Sequence, residues 1–273
     1  MFFWYKIYIL MCYITKGIYH LSMITFFRII WRDYMKILNF LVIIPVLGIF
    51  LICASCSTMY SISGNGDLIT SEKTVSPFNQ IHNNGNADVY FHAAQEYRAV
   101  VTIDSNLVEY VELVSGNNEL SIGMKSGRSY SYTKFVVDIY CPVLNGVEIS
   151  GFGYFSSDDT IAVPSFEAKI SGSGKIEGKI ESAYFSVNIS GSGKIIVSGN
   201  CDNSNINISG SGKFSGSDLH INNAVVHISG SGDVNIYVTD TLQANISGSG
   251  NIKYRGNPVI NSDISGSGKI QKI

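Results

Sequence analysis

Five residues, Ile-Ser-Gly-Ser-Gly, recur through the second half of this chain. The Ile of each copy falls at Ile170, Ile189, Ile208, Ile228, Ile246 and Ile264, and a degenerate copy, Ile149-Ser150-Gly151-Phe152-Gly153, precedes them. Successive steps of 21, 19, 19, 20, 18 and 18 residues hold a period near twenty. A period of that length marks stacked coils, in which each repeat buries its apolar face only by lying on its neighbours. No other feature of the chain restricts the fold as strongly.

The columns of the repeat carry the physical case. With each Ile as position zero, position +6 reads Phe155, Ile176, Ile195, Phe214, Val234, Ile252 and Ile270. Position −2 reads Val147, Ala168, Val187, Ile206, Val226, Ala244 and Ser262. Even separations put these residues on one face of an extended strand, and most are apolar and suited to it. Position +5 lies between them in parity and reads Tyr154, Lys175, Lys194, Lys213, Asp233, Asn251 and Lys269, a column for water. This is the alternation of a strand with one buried side. One such coil per period predicts a parallel β-solenoid with the Ile column in its core.

Gly at +2 and +4 in every copy needs its own account. Either Ser-Gly-Ser-Gly is a corner, with Gly at positive φ, or it runs extended with both Gly facing inward where the walls pinch together. Turn chemistry is the commoner cause of paired Gly and favours the corner.

The start of the chain has a different character. Residues 1–34 are aromatic and apolar but interrupted by Lys6, Lys16 and Arg28, so no clean run reaches the roughly 18 residues of a spanning helix. Met35-Lys36 then opens a short positive start, an apolar run from Ile37 to Ile52, and the small-residue segment Cys53-Ala54-Ser55-Cys56. These are the parts of a signal peptide. The small pair before Cys56 resembles the lipobox of bacterial lipoproteins, with Cys53 where that pattern has Leu. The expectation is translation from Met35, with 1–34 an over-extended start without function, a lipoprotein signal peptide at 35–55, and Cys56 as the lipidated N-terminus.

Cleavage there leaves 218 residues. Five of the 19 basic and one of the 21 acidic residues lie before Cys56, so 14 and 20 remain and the net charge is about −6. Nucleic acid is therefore not an expected partner, since it needs a basic stripe. Cys141 and Cys201 remain besides the acceptor, either paired or, sixty residues apart without a disulfide framework, free or buried. Residues 56–74 are polar and Gly-bearing and read as a tether. From Val75, short strands follow at Gln80-Ile81-His82, 87–92, 98–103, 110–113, 120–123 and 135–140, punctuated by Asn84-Gly85 and Gly116-Asn117-Asn118. No helical period of useful length appears after Cys56. The chain divides into an N-terminal β part at 75–146 and the repeat solenoid at 147–273, all-β throughout.

With the leader, the Phe78 to Ile81 and Ala87-Asp88-Val89-Tyr90 strands, Leu120-Ser121-Ile122, and the run from Pro142 through Val147-Glu148-Ile149-Ser150-Gly151 into the repeats, the chain resembles the GIN-domain family, also called the autotransporter adhesin head domain. The likeness covers the chain from about Val75 onward. It implies a right-handed, pectate-lyase-like parallel β-solenoid, with the irregular N-terminal strands capping one end. It implies a bacterial envelope protein, here read as an outer-membrane lipoprotein on the periplasmic or surface face. No translocator barrel follows the repeats, so self-secretion is not expected.

Solenoids of that kind often cut polysaccharides with paired carboxylates, one protonated and one ionised. The candidates are Asp158 with Asp159 and, more loosely, Glu177 with Glu181. Asp158 and Asp159 stand in a turn-like Ser-Ser-Asp-Asp-Thr, and none of Arg98, Arg128 or Arg255 neighbours an acidic pair in sequence. A carbohydrate-active β-helix enzyme is therefore the runner-up to a non-catalytic protein. No cofactor or metal is expected: Ca²⁺-binding repeats place Asp in every copy, whereas +5 has only Asp233, and His220 and His227 read as surface residues.

What remains is a patterned surface: Ser171, Ser173, Lys175, Ser190, Ser192, Lys194, Ser209, Ser211 and Lys213. It reads either as a face for glycan or surface-protein contact or as a wall kept soluble, with Asp233 and Asn251 relieving repulsion between lysines one coil apart. The expected protein is a lipid-anchored, adhesin-like binder. Self-association is expected through the C-terminal coil, whose edge strands present unpaired backbone.

Overall fold

The computed structural model describes residues 61–273. The expected start at Met35, the signal peptide and Cys56 lie outside the described residues. Nine strands come before the repeats: β1 (Ser61–Ser63), β2 (Leu68–Thr74), β3 (Gln80–Asn83), β4 (Asp88–Ala93), β5 (Arg98–Asp104), β6 (Val111–Gly116), β7 (Glu119–Met124), β8 (Ser129–Ser131) and β9 (Phe135–Cys141), with one 3-10 turn at Ser105–Tyr110. The repeats form β10 (Gly146–Gly151), β11 (Tyr154–Ala162), β12 (Ser165–Gly172), β13 (Lys175–Gly191), β14 (Lys194–Gly210), β15 (Lys213–Gly230), β16 (Asp233–Gly248), β17 (Asn251–Arg255), β18 (Val259–Gly266) and β19 (Lys269–Lys272).

The solenoid follows from the register. Parallel pairing sets Ile149 opposite Ile170, then Ile170 opposite Ile189, and so on through Ile208, Ile228, Ile246 and Ile264. Each Ile of the zero column from Ile149 to Ile246 is at most 2% exposed, and the +6 and −2 columns are buried with it until the last coil. A further inward column at −4, which the repeat motif does not announce, holds Phe166, Phe185, Ser204, Ala224 and Leu242, all buried. The rings of Phe166 and Phe185 stack at 5.9 Å and that of Phe185 meets Phe214 at 6.2 Å, so aromatic packing fills the interior on this side.

The corner is the correct reading of Ser-Gly-Ser-Gly, and the two glycines have different reasons. Gly210, at +2, has φ 116°, in a region that L side chains avoid, and its equivalents lie between 116° and 135°. Gly232, at +4, needs space instead: a Cβ there would lie 2.6 Å from Cγ2 of Ile208 on the coil below. The inward-facing alternative thus describes the second glycine, within the corner.

Strands 61–141 close the opposite end, but they also extend the solenoid. β3 pairs in parallel with β10 on one side and β7 on the other, and β4 does the same between β11 and β9. Two further coils therefore precede the repeats, and their order in space differs from their order in the chain. Antiparallel β2, β5 and the β6–β7 hairpin finish that end. The hairpin turns at Asn117 and Asn118, with φ 52° and 64°, the two positive values that a tight two-residue turn uses.

One boundary needs correction. The expected tether at 56–74 is structured over most of its length: β1 pairs with β8, and β2 pairs with all seven residues of β5. Composition suggested a linker, but backbone pairing, together with Asp104, holds the segment. The buried carboxylate accepts from the Gly66 amide at 2.7 Å and from the amide and hydroxyl of Thr133 at 2.7 and 2.9 Å. Cys141 and Cys201 are free and buried. Burial pushes the Cys141 thiol up to about 12, against a weaker opposing bond to Val143 O. Among the described residues, no helix is long and apolar enough to cross a membrane.

Candidate functional groove

Strand parity builds the site. With Ile at zero facing inward, positions −1 and +1 face outward. In-register stacking turns position −1 into a column of Glu148, Lys169, Asn188, Asn207, His227, Asn245 and Asp263. Position +1 becomes a parallel column of short serines. Together they line one groove of about 630 Å³ that follows the stack of coils.

The charges gather at its two ends. Lys169 Nζ lies 2.8 Å from Glu167, a bond that raises the ammonium's pKa above its ordinary value. Beyond it, His82 Nε2 is 3.0 Å from the Ser150 hydroxyl and 3.8 Å from Glu148, while Nδ1 is 3.5 Å from Glu119. Asp263 marks the other end. The central floor carries amides, hydroxyls and one imidazole, with no carboxylate or ammonium.

The nine residues singled out from sequence are divided by the corner. Ser171, Ser190 and Ser209 line the groove. Ser173, Ser192 and Ser211 are exposed on the corner itself, and Lys175, Lys194 and Lys213 open the next strand, outside the groove. The lysines do stack one per coil, and Asp233 follows Lys213 in register at 3.6 Å. Sequence reasoning missed the −1 column. Its signal was present in Asn188-Ile189-Ser190, Asn207-Ile208-Ser209 and Asn245-Ile246-Ser247, where Asn precedes the core Ile. His227, read from sequence as an ordinary surface residue, is part of this floor.

One carboxylate of each acidic pair is engaged by neighbours. Asp158 and Asp159 lie at a register shift between Ser156 and Thr160, and Asp159 Oδ2 accepts from the Ala93 amide at 2.9 Å. Glu177 accepts from the Tyr154 hydroxyl at 2.6 Å and pairs with Lys175 at 2.7 Å. Burial alone would raise the Glu177 pKa, but these two donors outweigh it and hold the carboxyl below its usual range. Among the described residues, no three His, Cys, Asp or Glu side chains come together to hold a metal ion.

A family model described as "Putative auto-transporter adhesin, head GIN domain" matches residues 77–258. A solved protein from Parabacteroides distasonis, described as a putative lipid binding protein, is 29% identical, with a TM-score of 0.67 over 78% of this chain and 99% of that one. A putative adhesin from Bacteroides fragilis is 22% identical, with a TM-score of 0.74 over 78% of this chain and all of the other. A third, a putative adhesin from Parabacteroides merdae, is 24% identical, with a TM-score of 0.65 over 78% and 99%. The last two share the fold. No curated protein matches the chain.

Proposed function

This chain belongs to the GIN-domain family, described as "Putative auto-transporter adhesin, head GIN domain", and from that premise we propose that it is a non-catalytic, adhesin-like protein of the bacterial cell envelope. Its groove binds an extended glycan or matrix polymer. The observation that carries this reading is the groove's construction: one line of outward side chains and one of serines, each advancing one coil at a time. A repeating surface of this kind suits a repeating ligand, because each coil offers a similar step. The bonds already made by Asp159 and Glu177 weigh against the rival reading of a polysaccharide-cutting enzyme.

The test is adherence. Beads coated with residues 57–273 should bind host matrix or glycan surfaces, and Ser209→Trp, which fills the middle of the groove, should reduce binding to background. Unchanged adherence by a folded Ser209→Trp protein would remove the groove from the function.

Membrane attachment through lipid on Cys56 belongs to the same reading and rests on the lipobox-like sequence. Mass spectrometry should find Cys56 acylated at the mature N-terminus, and Cys56→Ala should release the protein from membranes. A mature species that retains residues before Met35 would overturn the assignment. Self-association through the last coil is supported by the exposure of β18 along its whole length. Sedimentation velocity should show association that Ile270→Pro abolishes by removing an edge donor; a dimer that survives places the contact elsewhere.

A further inference from the structure

The groove's floor is interrupted, and the interruption specifies a chemical group. Asn207 Nδ2 donates to Asn188 Oδ1 at 3.1 Å. Asn245 Nδ2 meets His227 Nδ1 at 3.1 Å. Asn207 and His227 are register partners on adjacent coils, yet no hydrogen bond joins them among the described residues.

This break leaves a defined pair of unused groups. An amide nitrogen only donates, so Nδ1 of His227 accepts and the neutral ring keeps its proton on Nε2. Asn207 has spent one N–H on Asn188, and its second N–H and its Oδ1 make no hydrogen bond among the described residues. Asn207 and His227 are carried by register-paired strands about 4.8 Å apart, so both groups stand on neighbouring steps of one column. A group that uses both the His227 Nε2–H and the Asn207 Oδ1 accepts from the first and donates to the second. A hydroxyl does both, whereas a carboxylate or phosphate oxygen only accepts and an ammonium only donates. Charge points the same way: the nearest ammonium on the floor, Lys169, is held by Glu167 at 2.8 Å, so among the described residues no free ammonium on the floor favours an anionic ligand.

We propose that the step between Asn207 and His227 is the recognition subsite of the groove and takes a hydroxyl of an uncharged carbohydrate chain lying along the solenoid axis. The inference rests on the groove being the binding surface and adds the ligand's class and the residues that read it. Serines beside the step, Ser209 and Ser229, offer the same chain further hydroxyl partners.

The experiment is calorimetric titration of residues 57–273 with neutral gluco-oligosaccharides of increasing length, and with oligogalacturonates as the charged control. Neutral chains should bind more tightly as they lengthen across several coils, and the uronates should bind more weakly at every length. His227→Leu and Asn207→Leu should each weaken binding roughly tenfold, the upper range for one neutral hydrogen bond. His227→Gln, which restores an N–H donor, should recover most of that loss, and Lys253→Ala, exposed on β17 and outside the groove, should change little. Thermal melts identify variants that fail to fold, and the Gln variant tests the subsite without removing a polar side chain.

If both Leu variants bind neutral chains as the parent does, the subsite is wrong while the groove reading stands. Uronates binding more tightly than neutral chains, with the loss still at Asn207, would overturn the ligand class alone. If no oligosaccharide binds and Ser209→Trp also leaves adherence intact, the groove reading falls with it.

Discussion

The coil at Ile208 and the coil at Ile264 are written in the same five residues, yet only one of them makes a core. Ile208 is 2% exposed and Ile264 is 40% exposed. Leu242 is buried, whereas Ile260, its register partner on the last coil, is 38% exposed. The difference lies in what covers each residue. Ile208 lies between Ile189 and Ile228, while Ile264 has only Ile246 in register with it. The motif therefore prescribes the path of the chain, and burial comes from stacking on both sides. Lys269 and Lys272 stand on the last coil, where charge discourages uncontrolled pairing of the exposed edge.

The strongest way to break this comparison is to exchange the core Ile. Ile208→Asp should have the largest effect of any change considered, since it buries an unpaired charge between two coils. Ile208→Ala should cost about 2–5 kcal/mol through lost burial and a residual cavity. Ile264→Ala should cost under about 1 kcal/mol, because much of that side chain is already in water. Urea melts of the three variants decide the matter. Equal losses at Ile208 and Ile264 would mean that the last coil is covered in solution.

Gly232 sharpens the comparison from the other side of the same contact. Its missing Cβ leaves room for Cγ2 of Ile208, and Gly232→Ala should cost about 1–3 kcal/mol by overpacking. In the Ile208→Ala background the cavity admits that methyl, so the second substitution should cost less than it does alone. A double-mutant cycle measures the coupling, expected at about 0.5–3 kcal/mol in the favourable direction. Strict additivity would show that the clash is relieved by backbone movement and that Ile208 is not the limiting neighbour.

These contacts also show how much was legible in advance. Ile208, Phe214 and Ile206 declare their inward direction by parity, and period fixes which residues stack. The order of the N-terminal coils was not legible. β3 lies between β7 and β10 although β7 comes later in the chain, and residues without a repeat carry no label for their neighbour. Nor did composition distinguish a tether from β2, because edge strands can be polar on both faces. The groove was half legible. Its serines form a uniform column, but the −1 column mixes Glu, Lys, Asn, His and Asp, so only parity and register reveal it as one surface.

A smaller effect is expected at Ser204, which occupies the inward −4 column beside Phe185. It is 3% exposed and its hydroxyl has no hydrogen-bond partner among the described residues. Ser204→Ala removes an unpaired buried polar atom and should raise stability by up to about 1 kcal/mol. Ser262, on the last coil, faces solvent, so Ser262→Ala should leave the melt unchanged. A loss at Ser204 comparable to a core deletion would indicate that the hydroxyl has a bound partner in solution.

A small effect is also expected at Lys213, in the outward column of the interior coils. Its side chain is 60% exposed and stands 3.6 Å from Asp233, itself 41% exposed. Two opposing terms operate there. Attraction to Asp233 favours the lysine, while Lys194, its register partner on the preceding coil, opposes it. Both act through water, where an exposed pair contributes little and salt screens it further. Lys213→Ala should therefore change stability by no more than about 0.5 kcal/mol. Asp233→Asn removes only the attractive partner and leaves the lysines facing one another, so it should destabilise slightly more than Lys213→Ala does. Raising the salt concentration should shrink the difference between the two variants. If Lys213→Ala instead costs as much as Ile208→Ala, the outward column contributes packing as well as charge, and the division of each coil into an inner and an outer face must be redrawn.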